Sequence, residues 1–203
     1  MNAESYSAIA NEVFAPLYPY YAEMIVNKTG ICSGACLDVG CGCGHLGMAL
    51  AEAGAFTVCS LDNSAEMTGR TAANAHARGL SERVQTLQAD VGAMPLPTGS
   101  FDLVVSRGSM PFWKDLAAAF SEILRVLKPG GHAYVGGGLG PKHIREKIEG
   151  NMRKREPGSR WSEAERIPRR SVEEYECGLR LAGIADAIVD RGDEGTWVRF
   201  VKP

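Results

Sequence analysis

Three glycines and three carboxylates are spaced along this chain as a nucleoside-like ligand would require. Residues Leu37 to His45 read Leu-Asp-Val-Gly-Cys-Gly-Cys-Gly-His. Gly40, Gly42 and Gly44 let the main chain turn sharply and approach a ligand without Cβ interference. A helix starting just behind them would aim its free N–H groups at that ligand. Asp62 follows 18 residues beyond Gly44, and Asp90 comes later. The two oxygens of one carboxylate can accept both hydroxyls of a ribose. Gly42-x-Gly44-x-x-Gly47 also meets the dinucleotide spacing, but Asp38, just ahead of the first glycine, would repel a pyrophosphate and favour an ammonium or cationic centre.

These residues need a scaffold, and the flanking pattern supplies one. Ala35 to Val39 is an apolar run suited to a buried strand, and Leu46 to Ala53 is a good helix former. Phe56 to Leu61 predicts a second strand ending at Asp62, and Asn63-Ser64 an N-cap for a helix over Glu66 to Arg78. Arg83 to Leu87 is a third strand with Asp90 just past it, and Phe101 to Val105 a fourth. An amphipathic helix follows from Lys114 to Leu127, broken by Lys128-Pro129-Gly130-Gly131 before strand His132 to Val135. Alternating strands and helices give an α/β domain with a parallel sheet, so Asp38, Asp62 and Asp90 fall at three successive strand ends, the edge where open α/β sheets bind ligands. Gly136 to Gly140 leaves the fifth strand at that same edge, as close backbone approach or a hinge would require. Residues 4–28 read as helix broken at Pro16 and Pro19, rich in apolar and aromatic residues. Ser171 to Leu181 is a helix, and Ile184 to Val189 with Thr196 to Val201 a closing hairpin.

With 203 residues, 45% hydrophobic and 23% charged, the chain has the length and composition of one globular domain. A formal charge of -2 makes no global case for nucleic acid or an anionic membrane. No run approaches the roughly 18 apolar residues of a membrane span, and the start lacks the features of a signal peptide, so a cytoplasmic protein is expected. Six cysteines in such a chain are expected to be free thiols. Cys41-x-Cys43 invites a metal, but a loop that must wrap a ligand has its geometry already committed, so no metal site is expected. Residues 141–171 hold ten Lys or Arg against five Glu, a local charge of +5. That segment would attract an anionic substrate or RNA, or would form a solvated helical face.

The acid-x-Gly-x-Gly-x-Gly pattern of Asp38 to Gly44 resembles the first motif of class I S-adenosylmethionine-dependent methyltransferases. Pro95 with Phe101-Asp102, and Leu127-Lys128-Pro129-Gly130-Gly131, resemble further blocks of that family, in particular its small ubiquinone/menaquinone-biosynthesis-like, type 11 members. The resemblance covers nearly the whole chain. It implies a Rossmann-like seven-stranded sheet of order 3-2-1-4-5-7-6 with strand 7 antiparallel, helices on both faces and an N-terminal helical lid. Four regions of one domain follow: the lid at 1–34, a cofactor-binding core at 35–138, a basic substrate-side insertion at 139–171, and a closing helix and hairpin at 172–203. The implied cofactor is S-adenosyl-L-methionine, with S-adenosyl-L-homocysteine as product. Its expected contacts are Asp38, Gly40, Cys41, Gly42, Gly44, Asp62, Asn63, Met67, Asp90, Val91, Ser106 and Arg107. By the same resemblance Asp90 takes the adenine amine, the Val91 N–H meets a ring nitrogen, and Met67 lies near the adenine.

The expected activity is methyl transfer to N, O, S or C of a small-molecule acceptor by in-line displacement, by a monomer or homodimer. Tyr18, Tyr21, Phe112, Trp113, Gly137 and Gly138 are expected to form the acceptor pocket, where an aromatic face at Tyr6, Tyr18, Tyr20 or Tyr21 would attract the sulfonium charge. His143 is the first choice of general base, followed by Glu194 and Tyr18. Residues 106–113 lack the Asn/Asp-Pro-Pro-Tyr/Phe of nucleobase amino methyltransferases. An RNA methyltransferase using residues 141–171, a thiol- or metalloid-directed methyltransferase using the cysteines, and a nicotinamide oxidoreductase are the alternatives.

Overall fold

A computed structural model describes residues 3–155 and 170–203, with side chains from Ser7 onward in the first helix. Seven strands form one sheet: β1 (Ser33–Val39), β2 (Ala55–Asp62), β3 (Val84–Gln88), β4 (Phe101–Arg107), β5 (Leu127–Gly137), β6 (Ile188–Gly192) and β7 (Gly195–Val201). Their order is β3-β2-β1-β4-β5-β7-β6. β1 to β5 pair in parallel, while β7 runs antiparallel to both β5 and β6. This is the order and strand sense that the family resemblance implies.

Both faces of the sheet are buried, which is why β1 and β4 read as nearly unbroken apolar runs. On one face Cys36, Leu103, Val105, Tyr134 and Trp197 pack against α1 (Ala3–Glu12), α2 (Leu17–Thr29), α3 (His45–Ala53) and α6 (Lys142–Arg155). On the other, Leu37, Val39, Val104, Val135 and Val198 pack against α5 (Leu116–Val126) and α7 (Val172–Leu181). α4 (Ala65–Ala77) contacts β2 and β3. Side chains alternate across the strands, so each strand contributes to both cores.

Several boundaries differ from those read in the sequence. Pro16 breaks the N-terminal helices, but Pro19 lies in the first turn of α2, where its missing N–H has no intrahelical partner to lose. α5 starts at Leu116 because Asp115 caps it, accepting from the Ala118 N–H at 3.0 Å. β5 begins at Leu127 and takes in the Pro-Gly-Gly turn, with a register irregularity against β4 at Phe101/Leu103. Ile184 is buried, yet β6 starts only at Ile188: the apolar residues after α7 fill the core before the chain enters the sheet. Among the described residues no helix is long and apolar enough to cross a membrane.

Candidate functional site

The C-terminal ends of β1, β2 and β4 meet around the glycine loop. Gly40, Gly42 and Gly44 have φ of +65°, +55° and +78°, left-handed conformations that favour glycine. The loop is pinned from several sides. The Cys41 N–H donates to the Leu61 carbonyl at 2.9 Å. From α4, Thr71 Oγ1 donates to the Gly42 carbonyl at 2.9 Å, and Asn74 Nδ2 to the Cys43 carbonyl at 3.0 Å.

Asp62 stands at the open side of this loop. Its Oδ2 accepts from the Gly42 N–H at 2.9 Å and its Oδ1 from the Ser64 N–H at 3.0 Å. Each oxygen keeps acceptor capacity for a further donor. Asn63 is exposed beside it. Asp90 is exposed past the end of β3, with Oδ1 accepting from the Gly92 N–H at 2.8 Å, and Val91 is half-buried. Met67 is half-buried, with its sulfur 3.9 Å from Cys43 Sγ.

Asp38 is placed differently. It is 1% exposed and lies beneath the loop, where Oδ2 accepts from the Gly47 N–H at 3.0 Å and so caps the first turn of α3. Burial pushes its pKa up to about 7; the Gly47 bond opposes the rise and the Asp62 charge adds to it. Asp38 therefore braces the loop and the start of α3 from below rather than standing at the open edge. Cys41 is half-buried beside Thr71, its thiol pushed well up first by burial and then by Asp38. All six cysteines are free.

Arg107 ends β4, donating to the Gly138 carbonyl at 3.0 Å with its guanidinium over the rings of Phe14 (4.9 Å) and Tyr18 (5.9 Å). Tyr18 is buried and stacks on His45 at 4.8 Å. His45 ends the glycine motif and its Nε2 lies 2.8 Å from Asn11 Oδ1. Burial, with Arg78 and Arg107 adding, lowers its pKa to about 4, so it is neutral at pH 7. These contacts bring α1 and α2 against the site.

The remaining sequence-predicted residues divide. Ser106 is buried with its Oγ 2.6 Å from Ser109 Oγ. Tyr21 is buried and its hydroxyl donates to the Glu194 carbonyl at 3.1 Å; Glu194 Oε2 accepts from Tyr20 at 2.8 Å. Gly137 pairs with Thr196 of β7 and Gly138 lies alongside Glu194, at the turn of the β6–β7 hairpin. A Cβ on Gly137 would stand 2.8 Å from the Gly108 nitrogen and one on Gly138 2.1 Å from the Glu194 carbonyl oxygen, so the close approach served here is intramolecular. Phe112 is 57% exposed, whereas Trp113 is 5% exposed and packs edge-on against Phe120 in the core. His143 is exposed in the first turn of α6, and no described contact ties it to the sheet edge. Of the basic segment, Arg160, Arg166 and Arg169, with Glu156, Glu163 and Glu165, lie outside the described residues, as does the Tyr6 side chain. Ser109, Thr71 and Asn74 carry no sequence signal, and neither does the pairing of Tyr20 with Glu194, because each acts through a contact between separate segments.

The arrangement fits an adenosine-bearing cation. It offers a two-oxygen acceptor at Asp62, a second exposed acid one strand away on one side, and a tight backbone loop on the other. Among the described residues no group of three or more His, Cys, Asp and Glu side chains could hold a metal ion.

Comparison with known proteins agrees with this geometry. Residues 37–135 match the family model described as a methyltransferase domain. A solved structure from Methanococcus maripaludis, described as a candidate S-adenosyl-L-methionine-dependent methyltransferase, is similar with a TM-score of 0.90 and 40% identity, covering 98% of this chain and 91% of that one. An uncharacterized protein of Mycobacterium tuberculosis is 38% identical over 127 residues, 62% of this chain and 44% of its own length. Nocamycin O-methyltransferase of Saccharothrix syringae is 32% identical over 151 residues, 73% of this chain and 52% of its own length. The chain thus matches about half the length of these two relatives.

Proposed function

The chain belongs to the S-adenosyl-L-methionine-dependent methyltransferases, and from that premise we propose that it moves a methyl group to N, O, S or C of a small-molecule acceptor by in-line displacement. When bound, S-adenosyl-L-methionine supplies an electrophilic methyl on a sulfonium. The observation that carries the reading is Asp62, whose two oxygens are oriented by the Gly42 and Ser64 N–H groups at the mouth of the glycine loop.

In this reading Asp62 accepts the ribose hydroxyls, while Asp90 and the Val91 N–H meet the adenine. Gly40 to Gly44 cradle the remainder, with Asn63 and Met67 at the rim and Ser106 buried behind the loop against Ser109. Arg107 and Tyr18 stand on the acceptor side, and α1 and α2 exclude water. Holding a nucleophile and a methyl group in line is worth an effective molarity of roughly 10⁵ M or more in favourable cases. A base is needed only for an acceptor that arrives protonated. Glu194 is better supported than His143, being held by Tyr20 where β5, α2 and the hairpin meet. A small acceptor is favoured over RNA because two of the three clustered cations at the end of α6 are paired, Arg153 with Glu149 and Arg155 with Glu12.

The test is to incubate the protein with methyl-labelled S-adenosyl-L-methionine and a cell extract divided into small-molecule, RNA and protein fractions. Label in the small-molecule fraction is expected. Label confined to RNA or protein contradicts the reading.

A further inference from the structure

Ser109 belongs to none of the motifs, yet its hydroxyl is the meeting point of three contacts. It lies between β4 and the 3-10 turn Met110–Phe112. Its Oγ donates to the Val39 carbonyl at 3.0 Å, accepts from Trp113 Nε1 at 3.0 Å, and lies 2.6 Å from Ser106 Oγ. A hydroxyl has one proton and two acceptor sites. With the proton on Val39, the Ser106 hydroxyl must donate to Ser109, and every site on the oxygen is filled.

The Val39 carbonyl belongs to the peptide that leads into Gly40. The Ser109 side chain also fills the space on Gly40's open side, since a Cβ there would lie 2.3 Å from Ser109 Cβ and 2.4 Å from its Oγ. One residue thus holds the first peptide of the loop by a hydrogen bond and by contact. Gly42, two residues on, supplies the N–H that orients Asp62.

We propose that Ser109 is a positioning residue for the methyl-donor loop, fixing the Val39-Gly40 peptide and tying the loop to the turn at residues 108–113 on the acceptor side. The proposal rests on reading the loop as the S-adenosyl-L-methionine site. Removing the hydroxyl takes its bond from the Val39 carbonyl and leaves the buried Trp113 N–H without its Ser109 acceptor, so the loop and turn must relax to make up for them.

The test titrates S-adenosyl-L-homocysteine by calorimetry into wild type, Ser109→Ala and Trp113→Phe. Melting of the free proteins and hydrogen exchange over residues 37–44 are measured alongside. Ser109→Ala is expected to bind about tenfold more weakly and to exchange faster in the loop. Trp113→Phe removes one donor but leaves the Val39 bond, so a two- to threefold loss is expected; if Ser109→Ala does not fold, this variant decides alone. A purely structural role would lower the melting temperature while affinity stays within twofold of wild type and loop exchange is unchanged, and that result overturns the proposal. Absence of binding by the wild type would instead overturn the parent reading of the site.

Discussion

Where β4 begins, Asp102 Oδ2 accepts from the Ala35 N–H at 2.8 Å and from the Lys128 ammonium at 2.7 Å. At the opposite end of the sheet, Asp62 and Asp90 accept from backbone N–H groups, and among the described residues neither is in an ion pair. Burial pushes the Asp102 carboxyl up, but the Lys128 and Ala35 hydrogen bonds outweigh it and hold the pKa below its ordinary value. An acid whose neighbours already include a cation is part of the scaffold. An acid oriented by backbone donors, with lone pairs directed outward, is available to a ligand. That contrast separates the aspartates of this chain more sharply than their presence on strand ends does.

The most severe way to break the binding edge is Gly40→Ala. The new Cβ would meet Ser109 at 2.3 Å and force a residue with a side chain into φ +65°. A loss of about 2–4 kcal/mol in urea denaturation is expected, with loss of donor binding. Unchanged stability would show that the loop is not clamped there.

Asp38 sharpens the comparison, being an edge acid that is buried rather than presented. Its folded pKa of about 7 lies above the ordinary carboxylate value, so the folded state binds its proton more tightly than the unfolded chain. Stability from this group is therefore present at low pH and lost as pH rises from about 4 to 7. Measured against Asp38→Asn, the wild type should lose on the order of 1–3 kcal/mol between pH 4.5 and 7.5. A difference that stays constant over that range would contradict the assignment.

Much of this was legible in the sequence. The glycine spacing, the acids after three strands and the final hairpin report local chemistry, and they sufficed for an α/β sheet with Asp62 and Asp90 at one edge; the strand order came from the family resemblance those motifs carry. What was not legible depends on packing between distant segments. Nothing around Asp38 announces that α3 will close over it. Pro19 looks like a helix breaker until its position in the first turn of α2 is known. Trp113 reads as a pocket wall, but its ring packs against Phe120 and its N–H meets Ser109. Glu194 and Tyr20 are 174 residues apart and become partners only because the hairpin turn folds back onto α2.

The central claim is that Asp62 serves the ligand while Asp102 serves the scaffold. The direct test is calorimetric titration of S-adenosyl-L-methionine into wild type, Asp62→Asn and Asp102→Asn. Asp62→Asn should lose about tenfold or more in affinity, as expected when a charged acceptor is replaced. Asp102→Asn should bind within twofold of wild type while losing roughly 0.5–1 kcal/mol of stability, the scale of a partly exposed ion pair. Equal losses in both variants, or full affinity in Asp62→Asn, would contradict the account.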